Sequence, residues 1–238
     1  MFGYRARIGY TAPVAAVEVF PYEFYRMVPA GVTLAVATIP RWRAEPDDVE
    51  QTFRRSEVAV RELAEAGVSV IVVGGASPGY AYGVDRLDQM MATVTHEFGI
   101  PVTSALAAQR RALRAVGAQR LGVVTPFAAE ADREFARLTE GGFEVVGIRG
   151  AGYRHADFGQ APTDAPAQVA RELAAACPTA DTIFFPAAHW PAASNVEVLE
   201  QELGCKVIAS AQAIVWDALR HAGVTDSIAG FGRLLREH

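Results

Sequence analysis

The stretch Val68-Ser69-Val70-Ile71-Val72-Val73-Gly74-Gly75-Ala76-Ser77-Pro78-Gly79 decides the fold. It opens as a largely β-branched run and closes in small residues. An apolar run of this length, bounded by Gly and Pro, is the pattern of a strand buried on both faces of a parallel sheet. Open α/β sheets bind ligands just past the carboxyl ends of their strands. Gly74, Gly75, Ala76 and Ser77 are therefore candidate binding residues, because small side chains let a ligand approach free backbone N–H groups. The plainer reading is a tight strand-to-helix turn.

Outward from this stretch, strands and helices alternate. Residues 7–11 read as a strand stopped by Pro13, and 14–27 as a helix with Pro21 near its start. A strand at 32–37 precedes a helix at 46–66, opened by Pro46-Asp47-Asp48 and closed by Gly67. After the central strand come a helix at 85–98, a short strand at 101–103 and a helix at 104–116. The pattern then restarts. Strand 120–124 leads through Thr125-Pro126-Phe127 into a helix ending near Glu140, followed by strand 143–148, a loop at 150–163 and helix 164–176. Strand 182–185 runs into Pro186-Ala187-Ala188-His189-Trp190-Pro191. Ser194-Asn195-Val196-Glu197 reads as a capping box opening a helix to 203, before strand 206–209 and helix 210–221.

The halves repeat each other. Gly99-Ile100-Pro101-Val102-Thr103-Ser104-Ala105 resembles Gly204-Cys205-Lys206-Val207-Ile208-Ala209-Ser210-Ala211, and each leads into an amphipathic helix. Alternating strands and helices with short turns give parallel sheets. The expected fold is α/β, with two pseudo-symmetric lobes of parallel sheet and an active site in the cleft between them. Residues 1–104 with 210–238 form one expected lobe and 105–209 the other. The 74–77 and 186–190 loops are the expected opposing walls.

Composition narrows the function. The chain has 238 residues, 51% of them hydrophobic, and a formal charge of −5. No Lys/Arg cluster or aromatic–basic stripe is present, which argues against nucleic acid as a partner. The first seven residues lack the apolar stretch of a signal peptide, and no apolar run approaches the roughly 20 residues that span a bilayer. The expectation is a cytoplasmic protein without a membrane partner. Abundant Ala, Arg and Gly fit a bacterial source. Cys177 and Cys205 fit neither a metal nor a disulfide pattern. His155-x-Asp157 offers two metal ligands without a third, so a solvated loop is the better reading and no metal is expected. Walker A and G-x-G-x-x-G motifs are absent.

Read together, several segments resemble the aspartate/glutamate racemase superfamily, nearest its maleate cis–trans isomerase and arylmalonate decarboxylase branch. These are Ile8-Gly9-Tyr10-Thr11-Ala12-Pro13, Gly75-Ala76-Ser77 followed by Tyr80, Tyr82 and Gly83, and Leu121-Gly122-Val123-Val124-Thr125-Pro126-Phe127. To them are added Ala209-Ser210-Ala211-Gln212-Ala213-Ile214-Val215-Trp216-Asp217-Ala218 and Gly230-Phe231-Gly232-Arg233-Leu234-Leu235. The resemblance implies carbanion chemistry beside a carboxylate, without a metal or organic cofactor. Its members carry one cysteine in each half, or only the second in the decarboxylases. The first position corresponds here to Gly75 and the second to Ala187, so the resemblance implies that both catalytic thiols are missing. Phe127 stands where a carboxylate-binding tyrosine is expected, and Ala76 where a threonine is.

The substrate-binding residues implied are Pro13, Val14, Gly75, Ala76, Ser77, Thr125, Phe127, Ala187, Ala188 and Trp190. His189 stands two residues past the lost cysteine, and the unperturbed pKa of a histidine suits proton transfer near neutrality. Its alternative is surface packing on Trp190. Tyr80 and Tyr82 could supply a hydroxyl or serve as wall packing. An aromatic wall of Trp190, Phe127, Tyr80 and Phe185 favours an acid with an apolar or aromatic part. The leading expectation is a decarboxylase-like lyase acting on a small carboxylate. The alternatives are a cysteine-free maleate-type cis–trans isomerase or hydratase, and a non-catalytic small-acid-binding protein. Homo-oligomerisation is left open.

Overall fold

The structure, a computed structural model, describes residues 2–14, 17–39, 46–127, 141–154, 157 and 161–238, without the side chains of Pro46, Asp47 and Ser77. Its eight strands form two four-stranded sheets among the described residues. The first has the order β2-β1-β3-β4, from β1 (Ala6–Ala12), β2 (Val32–Thr38), β3 (Val70–Val73) and β4 (Val102–Ser104). The second has the order β6-β5-β7-β8, from β5 (Arg120–Thr125), β6 (Glu144–Gly150), β7 (Thr182–Phe185) and β8 (Lys206–Ala209). Every pairing is parallel, and the two orders correspond strand for strand. The repeat in the sequence is thus a repeat of topology. In each sheet the chain winds first to one side of the founding strand and then to the other. The reversal points lie between β1 and β3, and between β5 and β7, where open α/β sheets form a crevice at the strand carboxyl ends.

Helices supply the crossovers that parallel pairing requires. They are α1 (Val19–Met27), α2 (Pro46–Glu65), α3 (Ala76–Tyr82), α4 (Val84–Phe98), α5 (Ala105–Ala115), α6 (Ala165–Ala176), α7 (Val196–Leu203), α8 (Ser210–His221) and α9 (Gly232–Glu237). β3 is buried along its whole length. Ile71 and Val73 join Phe53, Val60, Leu63, Leu87, Met91 and Val94 from α2 and α4 in one apolar cluster. That burial is what selected the β-branched run.

Two details differ from the sequence reading. The small-residue stretch after β3 is not all loop, because Ala76–Tyr82 forms α3. Pro78 sits in its first turn, where the missing N–H costs nothing. The capping box does not form: the cap is Asn195, whose side chain bonds to no helix N–H and instead donates to Thr163 O and Pro191 O. Its members are engaged elsewhere. The Ser194 hydroxyl accepts from Arg26, and Glu197 accepts from the Gly232 N–H and from Arg236. The helix expected after Phe127 falls on 128–140, outside the described residues.

The chain divides into two compact units, one of residues 1–17, 28–108 and 214–226, the other of 18–27, 109–213 and 227–238. The units and the expected lobes assign residues 18–27, 105–108, 210–213 and 227–238 differently. Residues 18–27 belong to the second unit because Glu23 and Arg26 bond to Ser194. Residues 227–238 belong there because Gln212 Nε2 donates to Phe231 O and Arg233 pairs with Glu200.

Candidate active site

In the first unit, the site begins at the register of β1 with β3, which puts Thr11 opposite Val73. The chain ends of both strands therefore lie side by side. Gly74 N–H donates to both the carbonyl oxygen and the hydroxyl of Thr11, at 3.0 and 3.1 Å. A Cβ at Gly74 would lie 2.0 Å from that carbonyl, so only glycine fits. Gly75 turns the chain with φ +87°, against Pro13. The next N–H groups, of Gly75 and Ala76, meet no acceptor among the described residues. Pro13 and Ala76 are buried, while Val14 and Gly75 are half-buried. The Ser77 side chain lies outside the described residues.

The two tyrosines of α3 are both buried. Tyr82 belongs to the apolar cluster over β3, edge-on to Phe53 with centroids 5.2 Å apart. Its hydroxyl meets Ser56 Oγ at 3.2 Å, and burial raises its pKa despite that bond. The structure thus gives Tyr82 a packing role. Tyr80 is one helical turn past Ala76, on the same short helix.

In the second unit, β5 ends in Thr125, which is fully buried, and Phe127, two residues beyond it, is half-buried. Three backbone bonds pin the segment after β6 to this end. Ala151 N–H donates to Thr125 O, Gly152 N–H to Phe127 O and Tyr153 N–H to Pro126 O, at 2.8–3.0 Å. The sequence offered no sign of this ladder. Beside β5, β7 runs out into 186–190. Ala187 and His189 are half-buried, and Ala188 is buried. The N–H groups of Ala187 and Ala188 meet no acceptor among the described residues. Trp190 is fully buried and lies edge-on to Phe185, with centroids 6.1 Å apart. Its indole N–H has no acceptor among the described residues. Trp190 therefore anchors the loop in the interior, and His189 is the titratable side chain the loop leaves half-open.

Glu23 is a residue the sequence reading missed. It stands on the apolar face of α1 with Phe20, Phe24 and Met27, and it is fully buried. One carboxylate oxygen accepts the Ser194 N–H at 3.3 Å, and the other has no partner among the described residues. Burial pushes its pKa up to about 8, against the pull of the Ser194 and Ala193 N–H groups and Arg26. Helical periodicity treats a glutamate as solvent-facing, so only the fold reveals it.

Cys177 follows α6 and Cys205 precedes β8, both away from the strand carboxyl ends. Asp157 pairs with Arg154, and His155 lies outside the described residues. No cluster of three or more His, Cys, Asp or Glu suited to a metal occurs among the described residues. No described helix is long and apolar enough to cross a membrane.

The profile of the arylmalonate decarboxylase family matches residues 8–235. The arylmalonate decarboxylase of Bordetella bronchiseptica is 25% identical over 180 residues, covering 74% of this chain and 75% of that one. Unliganded arylmalonate decarboxylase shares the fold with a TM-score of 0.86 at 23% identity, over 98% of this chain and 100% of that one. The maleate cis–trans isomerase of Nocardia farcinica, bound to Tris, does so with a TM-score of 0.84 at 24% identity, over 98% of each chain.

Proposed function

Since the chain belongs to the arylmalonate decarboxylase family, we propose that it is a decarboxylase-like lyase acting on a small carboxylic acid with an apolar or aromatic part. The family supports decarboxylase or isomerase chemistry. The finer reading rests on one observation, the uncommitted backbone N–H groups at corresponding strand ends. Those of Gly75 and Ala76 follow β3, and those of Ala187 and Ala188 follow β7.

In this reading the Ala187 and Ala188 N–H groups hold a substrate carboxylate. Breaking the bond from the α-carbon to one carboxylate releases CO2 and leaves the electron pair as an enediolate on the other. Donors aimed at that developing charge lower the barrier and raise the rate, typically by a factor of about 10²–10³ for each one. Protonated His189 then gives its proton to the α-carbon, in place of the thiol found elsewhere in the superfamily. Neither a cofactor nor a cysteine takes part. Thr125 and Phe127, at the neighbouring strand end of the same unit, contact the rest of the substrate.

Incubating the protein with phenylmalonate and following CO2 and phenylacetate tests this. Turnover is expected, and His189→Gln is expected to lower it by about 10²–10⁴, the usual worth of a general acid, with the melting temperature unchanged. Full activity in His189→Gln removes His189 from the chemistry. Conversion of maleate to fumarate with no CO2 release would establish the isomerase alternative. Tight binding of phenylacetate without any turnover would establish the non-catalytic one.

A further inference from the structure

Gln109 stands in α5, in an Ala- and Arg-rich sequence, and is 1% exposed. An amide buried that deeply destabilises the fold unless its polar atoms are used. Its Nε2 donates to Pro186 O at 3.0 Å and to Ser210 Oγ at 2.6 Å, which uses both of its protons. Pro186 has no N–H and can only accept, so the amide must face it with nitrogen.

This bond falls where the sheet stops holding the chain. The last residue of β7 in register with β8 is Phe185, opposite Ala209. The peptide between Pro186 and Ala187 lies one step beyond. It is trans and planar, so its carbonyl and its N–H point in opposite directions. With the carbonyl turned to Gln109, the Ala187 N–H is turned away from it. Ala188 follows, and neither N–H meets an acceptor among the described residues. Nothing in the strand ladder would stop this peptide from rotating.

Building on the decarboxylase reading, we infer that Gln109 is a positioning residue: by fixing the Pro186 carbonyl, it keeps the Ala187 and Ala188 N–H groups aimed at the negative charge of a bound carboxylic acid. The ligand class is a carboxylate or the enediolate derived from it. Such donors stabilise charge in proportion to how well they are aimed beforehand. Gln109 touches the loop and not the substrate.

The test uses the whole ¹⁵N-labelled protein and phenylacetate, which carries the aryl group and one carboxylate but has no second carboxylate to lose. In the parent, titration shifts the amide resonances of Ala187 and Ala188. Gln109→Met keeps the stem and removes both donors. It is expected to weaken phenylacetate binding about tenfold. On phenylmalonate it lowers kcat more than it raises KM and leaves the pH profile in place, since Gln109 does not titrate. Ser210→Ala retains the bond to Pro186 and keeps the parental affinity. Should Gln109→Met not fold, Gln109→Asn withdraws the amide by one methylene and serves for the same comparison. Unmoved Ala187 and Ala188 resonances in the parent, or parental affinity in a folded Gln109 variant, overturn the inference. A parent that binds phenylacetate through these resonances yet releases no CO2 overturns the decarboxylase reading and leaves this one standing.

Discussion

A Cβ on Gly75 has no room. It would lie 2.8 Å from Pro13 Cγ and 2.9 Å from Pro78 Cγ, on a backbone with φ +87°. The resemblance to the racemases places their first thiol at this residue. Gly75→Cys is therefore expected to cost about 1–3 kcal/mol and to give no racemase activity. A thermal melt of the variant checks the first part, and an unchanged Tm would mean that the turn can relax. Glu23 gives a second test at the same scale. Its carboxyl is near 8 in the folded chain and in the ordinary range when unfolded. The folded state thus holds a proton that the unfolded state has released, and stability falls as pH rises from the unfolded value toward about 8. Below the unfolded value the contribution is complete, and above 8 it is gone. Its size is on the order of a few kcal/mol. In Glu23→Gln this slope disappears from a plot of Tm against pH between 5 and 8. A slope equal to the parent's would place the titration on another group.

At the scale of elements, two carboxylates of α7, Glu197 and Glu200, clasp α9, and Glu200 is the more engaged. Glu200 is 8% exposed and accepts the Val207 N–H, the Arg233 N–H and Arg233 Nε, at 2.8–3.2 Å. Glu200→Ala strands three donors and is expected to destabilise by about 3 kcal/mol. Its urea midpoint should fall accordingly, whereas a shift of a few tenths of a kcal/mol would mean that water replaces the carboxylate. The strands were legible before any of this, because a fully buried parallel strand such as β3 writes its burial directly into β-branched residues. α3 was hidden by Gly74, Gly75, Pro78 and Gly79, whose types signal a break. Gly79 nonetheless sits in the helix, where a Cβ would reach Leu87 and Leu106 at van der Waals distance. The Ser194–Glu197 box was misread because its local pattern competes with partners on α1 and α9 that no short window contains. Of the site, the strand-end positions were legible from topology. Gln109 and Glu23 were not, because their roles depend on contacts 77 and 171 residues away in the chain.

At the scale of the molecule, neither unit is one continuous segment. The first takes residues 1–17, 28–108 and 214–226. Thr103 donates to Asp217, which is buried, and Arg5 pairs with Asp226. A fragment of residues 1–117 lacks both carboxylates and is expected to show no cooperative thermal transition by circular dichroism. A sharp, reversible melt of that fragment would mean that the last segment is dispensable to the unit. The same interleaving bears on how the protein is made. A ribosome delivers residues 28–108 and then the whole of 109–213 before Asp217 and Asp226 exist. At about 5–20 residues per second, the first unit waits roughly 5–20 s for its missing piece. During that interval the second unit can gather most of its strands while the first, begun earlier, is still open. The half that is translated first, like the second half with its residues 227–238, cannot finish folding until the last stretch of the chain has emerged. Its exposure to chaperones and proteases is therefore set by the speed of synthesis rather than by its own stability.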